Sequence, residues 1–263
     1  MLSYTTLGSR ENPHLFFFHG FLGTKEDFLP MMKDLSSDFF CVSIDLPGHG
    51  DSPWKEDIFS SLIQTVRSFS SEAHFFIGYS LGGRILLHLK EKYPSLFPYA
   101  AILSSHPGLS IQKRKTERKQ EEEKWIEKLR SSKIEDFVDA WYQAPLFASF
   151  RKSPHFSTTL ERRYKQNPLF LIKMLEKMSL AKQTFPSRKT LSSSYFLFGD
   201  EDTKYASLYS TLPSYVRVES LSHTGHALHL ERPSECAEKI KTWIFEVTLC
   251  KQLTGHLLET IKI

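Results

Sequence analysis

The tightest constraint on how this chain can fold lies at Gly78-Tyr79-Ser80-Leu81-Gly82. The pentapeptide joins a short apolar run, residues 74–77, to a longer amphipathic run at 82–93. A short apolar run reads as a buried strand and the amphipathic run as a helix. A G-x-S-x-G at a strand-to-helix junction forces a sharp, strained turn. Its small flanking residues let backbones approach closely, and the serine Oγ is pushed out above the sheet. The pentapeptide alone is common, and a plain glycine-rich turn is the bland alternative. Its position between strand and helix favours a nucleophile elbow.

The same alternation runs through the chain. Residues 15–18, 39–44, 74–77 and 99–104 read as buried strands, and 25–35, 58–69 and 82–93 as helices between them. Such a βαβα rhythm implies a mostly parallel sheet with helices on both faces. It stops after His106-Pro107-Gly108, where the pattern turns helical and rich in Lys, Glu and Gln up to about residue 182. It resumes with strands at 194–198 and 215–219 and a closing helix from 233 to about 247. The expected organisation is an α/β core over 1–106 and 186–247, an inserted helical cap over 107–185, and a C-terminal tail over 248–263 that is either further helix or a frayed end.

Composition narrows the class. Hydrophobic residues at 40% and charged residues at 24% of 263 suit a globular chain and argue against disorder. No apolar run reaches the roughly 20 residues of a membrane span, and the first residues lack the pattern of a signal peptide. Cys41, Cys236 and Cys250 are too few and too scattered for a disulfide framework or a metal site, so a reducing cytoplasm is the expected location. The cap segment 107–185 holds 17 Lys+Arg against 10 Asp+Glu, while the remainder holds 17 against 20. Most such charges belong to a solvated helical surface. The excess also suits a positive field over a site for anionic substrates. No aromatic-basic repeat accompanies it, so nucleic acid is not an expected partner.

Two further loops complete a chemistry. His19-Gly20-Phe21 follows the strand at 15–18, where the backbone N–H of Phe21 can join that of Leu81 in an oxyanion hole. Gly199-Asp200-Glu201-Asp202 and Gly225-His226 follow the late strands, giving the chain order Ser, Asp, His of an α/β hydrolase. A serine hydroxyl needs a histidine to take its proton, and the histidine needs an acid to set its tautomer. The expected triad is Ser80, His226 and Asp202. Asp200 stays open as the acid, and His223 and His229 are rival histidines better read as loop or supporting residues.

The sequence resembles the MenH family of 2-succinyl-6-hydroxy-2,4-cyclohexadiene-1-carboxylate synthases. The resemblance is carried by Gly78-Tyr79-Ser80-Leu81-Gly82-Gly83-Arg84, by Asp45-Leu46-Pro47-Gly48-His49-Gly50, and through the cap by His106-Pro107-Gly108-Leu109, Glu117-Arg118 and Trp125. It continues through Ala140-Trp141-Tyr142-Gln143-Ala144-Pro145-Leu146-Phe147-Ala148-Ser149, Met174-Leu175 and Ser179-Leu180-Ala181, and returns at residues 199–205 and 225–233. It implies an α/β-hydrolase fold and a carbon-oxygen lyase of menaquinone (vitamin K2) biosynthesis. In that reaction pyruvate is eliminated from a substrate with three carboxylates, the triad serving as general base. It also implies substrate contacts by Arg84, Arg118 and Arg163, with Arg162 the neighbour one register away, and by the aromatic pair Trp141 and Tyr142. Arginine suits such a substrate because its fork holds carboxylates in pairs of hydrogen bonds.

Glu121-Glu122-Glu123 departs from this picture and is expected to face solvent, since three successive residues cannot share one helix face. One rival reading is a serine hydrolase, an esterase or carbon-carbon bond hydrolase acting on a carboxylated substrate. The other is a ligand-binding protein without catalysis, which an intact triad disfavours. No cofactor and no metal are expected, because no dinucleotide signature or ligand spacing is present.

Overall fold

A computed structural model describes residues 1–69 and 74–260. Seven strands form one sheet: β1 (Tyr4–Leu7), β2 (His14–Phe18), β3 (Phe40–Ile44), β4 (Phe75–Tyr79), β5 (Tyr99–Leu103), β6 (Ser194–Gly199) and β7 (Arg217–Leu221). Their spatial order is β1-β3-β2-β4-β5-β6-β7. β1 pairs antiparallel with β3, and every other pair is parallel. The core helices are α1 (Leu29–Leu35), α2 (Ile58–Arg67) and α3 (Leu81–Lys92). The cap follows β5 with α4 (Gln112–Ser131), α5 (Ile134–Tyr142), α6 (Phe156–Arg163) and α7 (Pro168–Lys177), all inside residues 107–185. The core then resumes with α8 (Arg188–Ser192), α9 (Thr203–Tyr209), α10 (Leu228–Glu231) and α11 (Pro233–Thr260).

The period of two along β2 explains the two-faced core. Leu15 and Phe17 join one apolar cluster, under α1 and α11, while Phe16 and Phe18 join the other, under α2 and α3. β1 was not expected: its sequence Tyr-Thr-Thr-Leu is polar and half exposed, as an edge strand is. The helix expected at 25–35 splits into a 3-10 turn over Lys25–Phe28 and then α1, whose first turn carries Pro30. β7 starts two residues later than expected. α11 continues unbroken through the point where a tail was expected, and residues 261–263 lie outside the described part.

The elbow is where the sheet and α3 meet most closely. Ser80 adopts φ 48°, in the left-handed region. Its backbone N–H donates to Leu103 O at 2.9 Å, and its carbonyl accepts from Ser105 Oγ at 2.6 Å. A Cβ on Gly82 would lie 2.0 Å from Phe18 O, and one on Gly78 would lie 2.6 Å from Gly83 Cα. Both obstacles are backbone and cannot rotate aside. Gly82→Ala is therefore expected to cost about 3 kcal/mol or more and to lower the melting midpoint by at least about 6 °C. A midpoint equal to that of the parent chain would mean that α3 can slide off β2 freely.

Candidate active site

Asp202 ends β6's following loop as the N-cap of α9, where its Oδ1 accepts the Tyr205 backbone N–H at 3.1 Å. That bond turns the carboxylate back over the sheet, and Oδ2 meets His226 Nδ1 at 2.7 Å. Both residues are buried. Asp200 is exposed and, among the described residues, accepts only the Thr224 N–H, at 3.3 Å, so the carboxylate beside the histidine belongs to Asp202. His223 is exposed. His229 is wholly buried between the rings of Phe28 and Tyr79, at 4.7 and 4.2 Å. Burial holds it neutral, with a pKa pushed down to about 3, so it packs under the site. Tyr205, Tyr79 and Phe147 wall His226 with rings at 4.9, 5.4 and 5.7 Å.

Ser80, Phe21 and Leu81 line one cavity of about 80 Å³. The Phe21 loop is held rigidly. Leu46 N–H donates to His19 Nε2 at 2.9 Å, which leaves the proton on Nδ1 to donate to Gly20 O at 2.7 Å. The next residue, Leu22, takes φ 65°. His49 lies beside His19 with the rings tilted at 55°, its pKa lowered to about 3 by burial and by that second imidazole. Asp45 closes the same region by accepting from the Lys25 backbone N–H at 2.6 Å, Lys25 Nζ at 2.8 Å and Asp51 N–H at 3.0 Å.

The cavity's charged lining is all basic: Arg84, Arg118 and Lys204, with His106 alongside. Arg84 donates to Met178 O at 2.5 Å and has no ion pair among the described residues. Burial and the nearby Arg118 lower its pKa to about 10. Arg118 binds Glu122 through Nε at 2.8 Å. A larger compartment of about 400 Å³ shares Arg118, Trp141 and Lys204 with the first and carries Glu121, Glu201 and Asp202 as well. Trp141 stands between the two, packed on Phe21 at 5.1 Å and Trp125 at 4.9 Å.

Tyr142 and Arg163 sit on the other side of Ser80, around a small void that Ser80 also lines. Arg163 is buried and already engaged. Its Nη2 meets Asp27 Oδ2 at 2.6 Å and its Nε donates to Tyr142 Oη at 3.1 Å, which leaves only Nη1 without a partner. Burial alone would raise the Asp27 carboxyl, but Arg163 outweighs it and holds the pKa near 2. Arg162 reaches the other oxygen of Asp27 at 3.1 Å from a more exposed position and does not line these cavities.

The acidic run requires a correction. Glu121 and Glu123 are exposed as expected, although Glu121 lines the outer compartment 3.5 Å from Arg118 Nη1, and Glu122 is buried. It accepts from Arg118, from the Leu180 backbone N–H at 3.0 Å and from the Ser179 hydroxyl. Its helix face turns inward because the turn at Ser179–Leu180 presents two donors that need an acceptor. Sequence reasoning also missed His106, Lys204 and Tyr205. The last two follow Asp202 within one turn, so the helix that Asp202 caps was the available signal.

The buried neutral histidines make the fold acid-sensitive. A histidine whose folded pKa lies below its unfolded value of about 6.5 stabilises the fold above that pH, and the contribution is lost as pH falls. The folded chain is expected to weaken from pH 6.5 to 4.5, and His49→Gln to lose about 1.4 kcal/mol less per pH unit over that window. Urea unfolding at several pH values reads this directly, and parallel pH profiles would contradict it.

Residues 13–233 match the family model described as alpha/beta hydrolase fold. The chain is similar to a 2-succinyl-6-hydroxy-2,4-cyclohexadiene-1-carboxylate synthase of Enterobacter sp. (strain 638), 28% identical over 89% of this chain and 92% of that protein. It is 29% identical to the synthase of Escherichia coli O1:K1 / APEC over 84% of this chain and 90% of that one. The structure of MenH from S. aureus superposes with a TM-score of 0.84 at 24% identity, covering 94% of this chain and 99% of that chain. An enol-lactonase from Burkholderia xenovorans LB400 gives 0.75 at 14% identity, over 93% and 96%, which is a likeness of fold. The resemblance to the MenH synthases thus extends over most of the sequence, and the chain belongs to the α/β-hydrolase fold family.

Proposed function

We propose that this chain is the carbon-oxygen lyase that converts 2-succinyl-5-enolpyruvyl-6-hydroxy-3-cyclohexene-1-carboxylate to 2-succinyl-6-hydroxy-2,4-cyclohexadiene-1-carboxylate and pyruvate in menaquinone biosynthesis. The observation that carries this reading is the cavity at Ser80, which Arg84, Arg118 and Lys204 line without any carboxylate among its lining residues. A substrate with several carboxylates is matched by such a lining, whereas a neutral ester would leave Arg84 and Lys204 uncompensated, Arg118 being paired with Glu122 already. The relatives named above as synthases support the same reaction.

In this reading Ser80 Oγ takes the ring proton beside the succinyl carbonyl and passes it to His226, whose imidazolium Asp202 stabilises. The carbon-hydrogen electron pair moves onto the carbonyl oxygen, where the N–H groups of Phe21 and Leu81 receive the charge. The pair then returns through the ring double bond and expels the enolpyruvyl oxygen. His226 gives its proton to the departing enolpyruvate, which becomes pyruvate. No acyl-enzyme forms. Arg84 and Arg118 hold carboxylates, and Trp141 covers the ring. The inner cavity of about 80 Å³ is too small for the whole substrate, so its longer arm extends past Trp141 into the outer compartment. Arg163, neutralised by Asp27, offers its unpartnered Nη1 group to the pocket and fixes Tyr142.

The test generates the unstable substrate in place with the preceding synthase and follows pyruvate release, beside a p-nitrophenyl ester. Release without ester cleavage is the expected result. Ester cleavage without release would instead mark a serine hydrolase. Ser80→Ala should lower kcat at least about a thousandfold with an unchanged melting midpoint. Arg118→Gln removes the charge but keeps a donor for Glu122, and should lower kcat/KM about 10- to 150-fold for the carboxylated substrate. Its effect on the ester should stay within twofold, and equal losses on both would show that Arg118 acts only through the cap's packing.

A further inference from the structure

Lys204 stands two residues beyond Asp202, in the first turn of α9, where the inner and outer compartments join. Its ammonium has no hydrogen bond or ion pair among the described residues, unlike Lys25 and Lys239, which hold carboxylates at 2.8 Å. Partial burial and the adjacent Arg118 lower its pKa, against the pull of Glu121 and Asp202. His106 lies across the same cavity. Its Nδ1 accepts the Gly108 backbone N–H at 3.0 Å, so the ring proton sits on Nε2. Burial, then Arg118, Arg84 and Lys204, push its pKa down to about 4, so it stays a neutral donor under working conditions. The mouth of the inner cavity thus presents hydrogen-bond donors with no acceptor of their own.

We propose that Lys204, with the His106 Nε2–H opposite it, forms a carboxylate subsite distinct from the arginine pair and determines specificity for a substrate with an anionic arm reaching the outer compartment. This rests on the elimination reading above and adds to it a residue that selects the substrate by charge count. Lys204 touches the substrate's carboxylate and takes no part in the proton transfers. The outer compartment also carries Glu121, Glu201 and Asp202, so the carboxylate is held at the junction that Lys204 lines rather than further out.

The test titrates the intact chain with tricarballylate, a plain tricarboxylate, following tryptophan fluorescence from Trp125 and Trp141, and measures KM and kcat for the enolpyruvyl substrate in parallel. Lys204→Met should weaken tricarballylate binding at least tenfold and raise KM by a similar factor with kcat within threefold. Lys204→Arg should recover binding to within threefold, and the surface variant Lys189→Met should change nothing. Unchanged binding by Lys204→Met overturns the subsite, and so does a parent chain that fails to bind tricarballylate at all. Lys204-dependent binding by a parent chain that releases no pyruvate keeps the subsite and removes the elimination reading.

Discussion

The close approach of α3 to β2 and β4 is the constraint on which the site depends. A helix axis normally stands off a sheet by the thickness of its side chains. Here Gly82 lets the α3 backbone come within contact of Phe18 O, and Gly78 and Gly83 meet with almost nothing between them. Two consequences follow together. The Leu81 N–H, at the helix start, is brought beside the Phe21 loop, and Ser80 is driven into a left-handed conformation that no local preference supports. The strain is retained because the flanking bonds to Leu103 and Ser105 hold the serine backbone on both sides.

Charge in the cap is arranged by depth. On the outer surface Lys119 pairs with Glu123 and Arg130 with Glu176, exposed pairs of small energetic value. Further in, Glu122 holds Arg118 and the Ser179–Leu180 turn, which orients a guanidinium that would otherwise be free to swing. Beneath the cap, on core helix α3, Arg84 has the Met178 carbonyl as its one hydrogen-bond partner among the described residues. The positive excess counted along the cap therefore overstates what the cavity feels, since most of it is solvated and only Arg118 among those cap residues reaches the inner lining.

The parts of this arrangement legible in the sequence were those with a local signature. The parallel strands announced themselves as apolar runs, and the elbow as glycines around a serine. Asp202 was readable as the preferred acid, with Asp200 still open, because the spacing from Gly199 clears the strand end before the side chain turns back. What stayed hidden depended on contacts distant in sequence. Arg163 looked like a free carboxylate fork because nothing in its own segment shows that Asp27, 136 residues away, already occupies it. Glu122 looked solvated because the donors that draw it inward lie 57 and 58 residues further on. β1 lacked an apolar run because an edge strand needs none.

The Asp27 bridge has a bearing on how the cap is held to the core. Asp27 belongs to the core, and both arginines that grip it end α6 in the cap. Beside them Gln166 donates to Leu22 O and Gly23 O and accepts the Gly50 N–H. Lifting this end would strand a buried carboxylate, a cost of about 3–5 kcal/mol. At the α4 end the buried Glu122 is satisfied by partners within the cap, and the core reaches the same turn through Arg84, which donates to Met178 O. The cap is thus fixed to the core by buried charge where α6 ends, and the two compartments that share Arg118, Trp141 and Lys204 are lined by neither Asp27 nor the arginines that grip it.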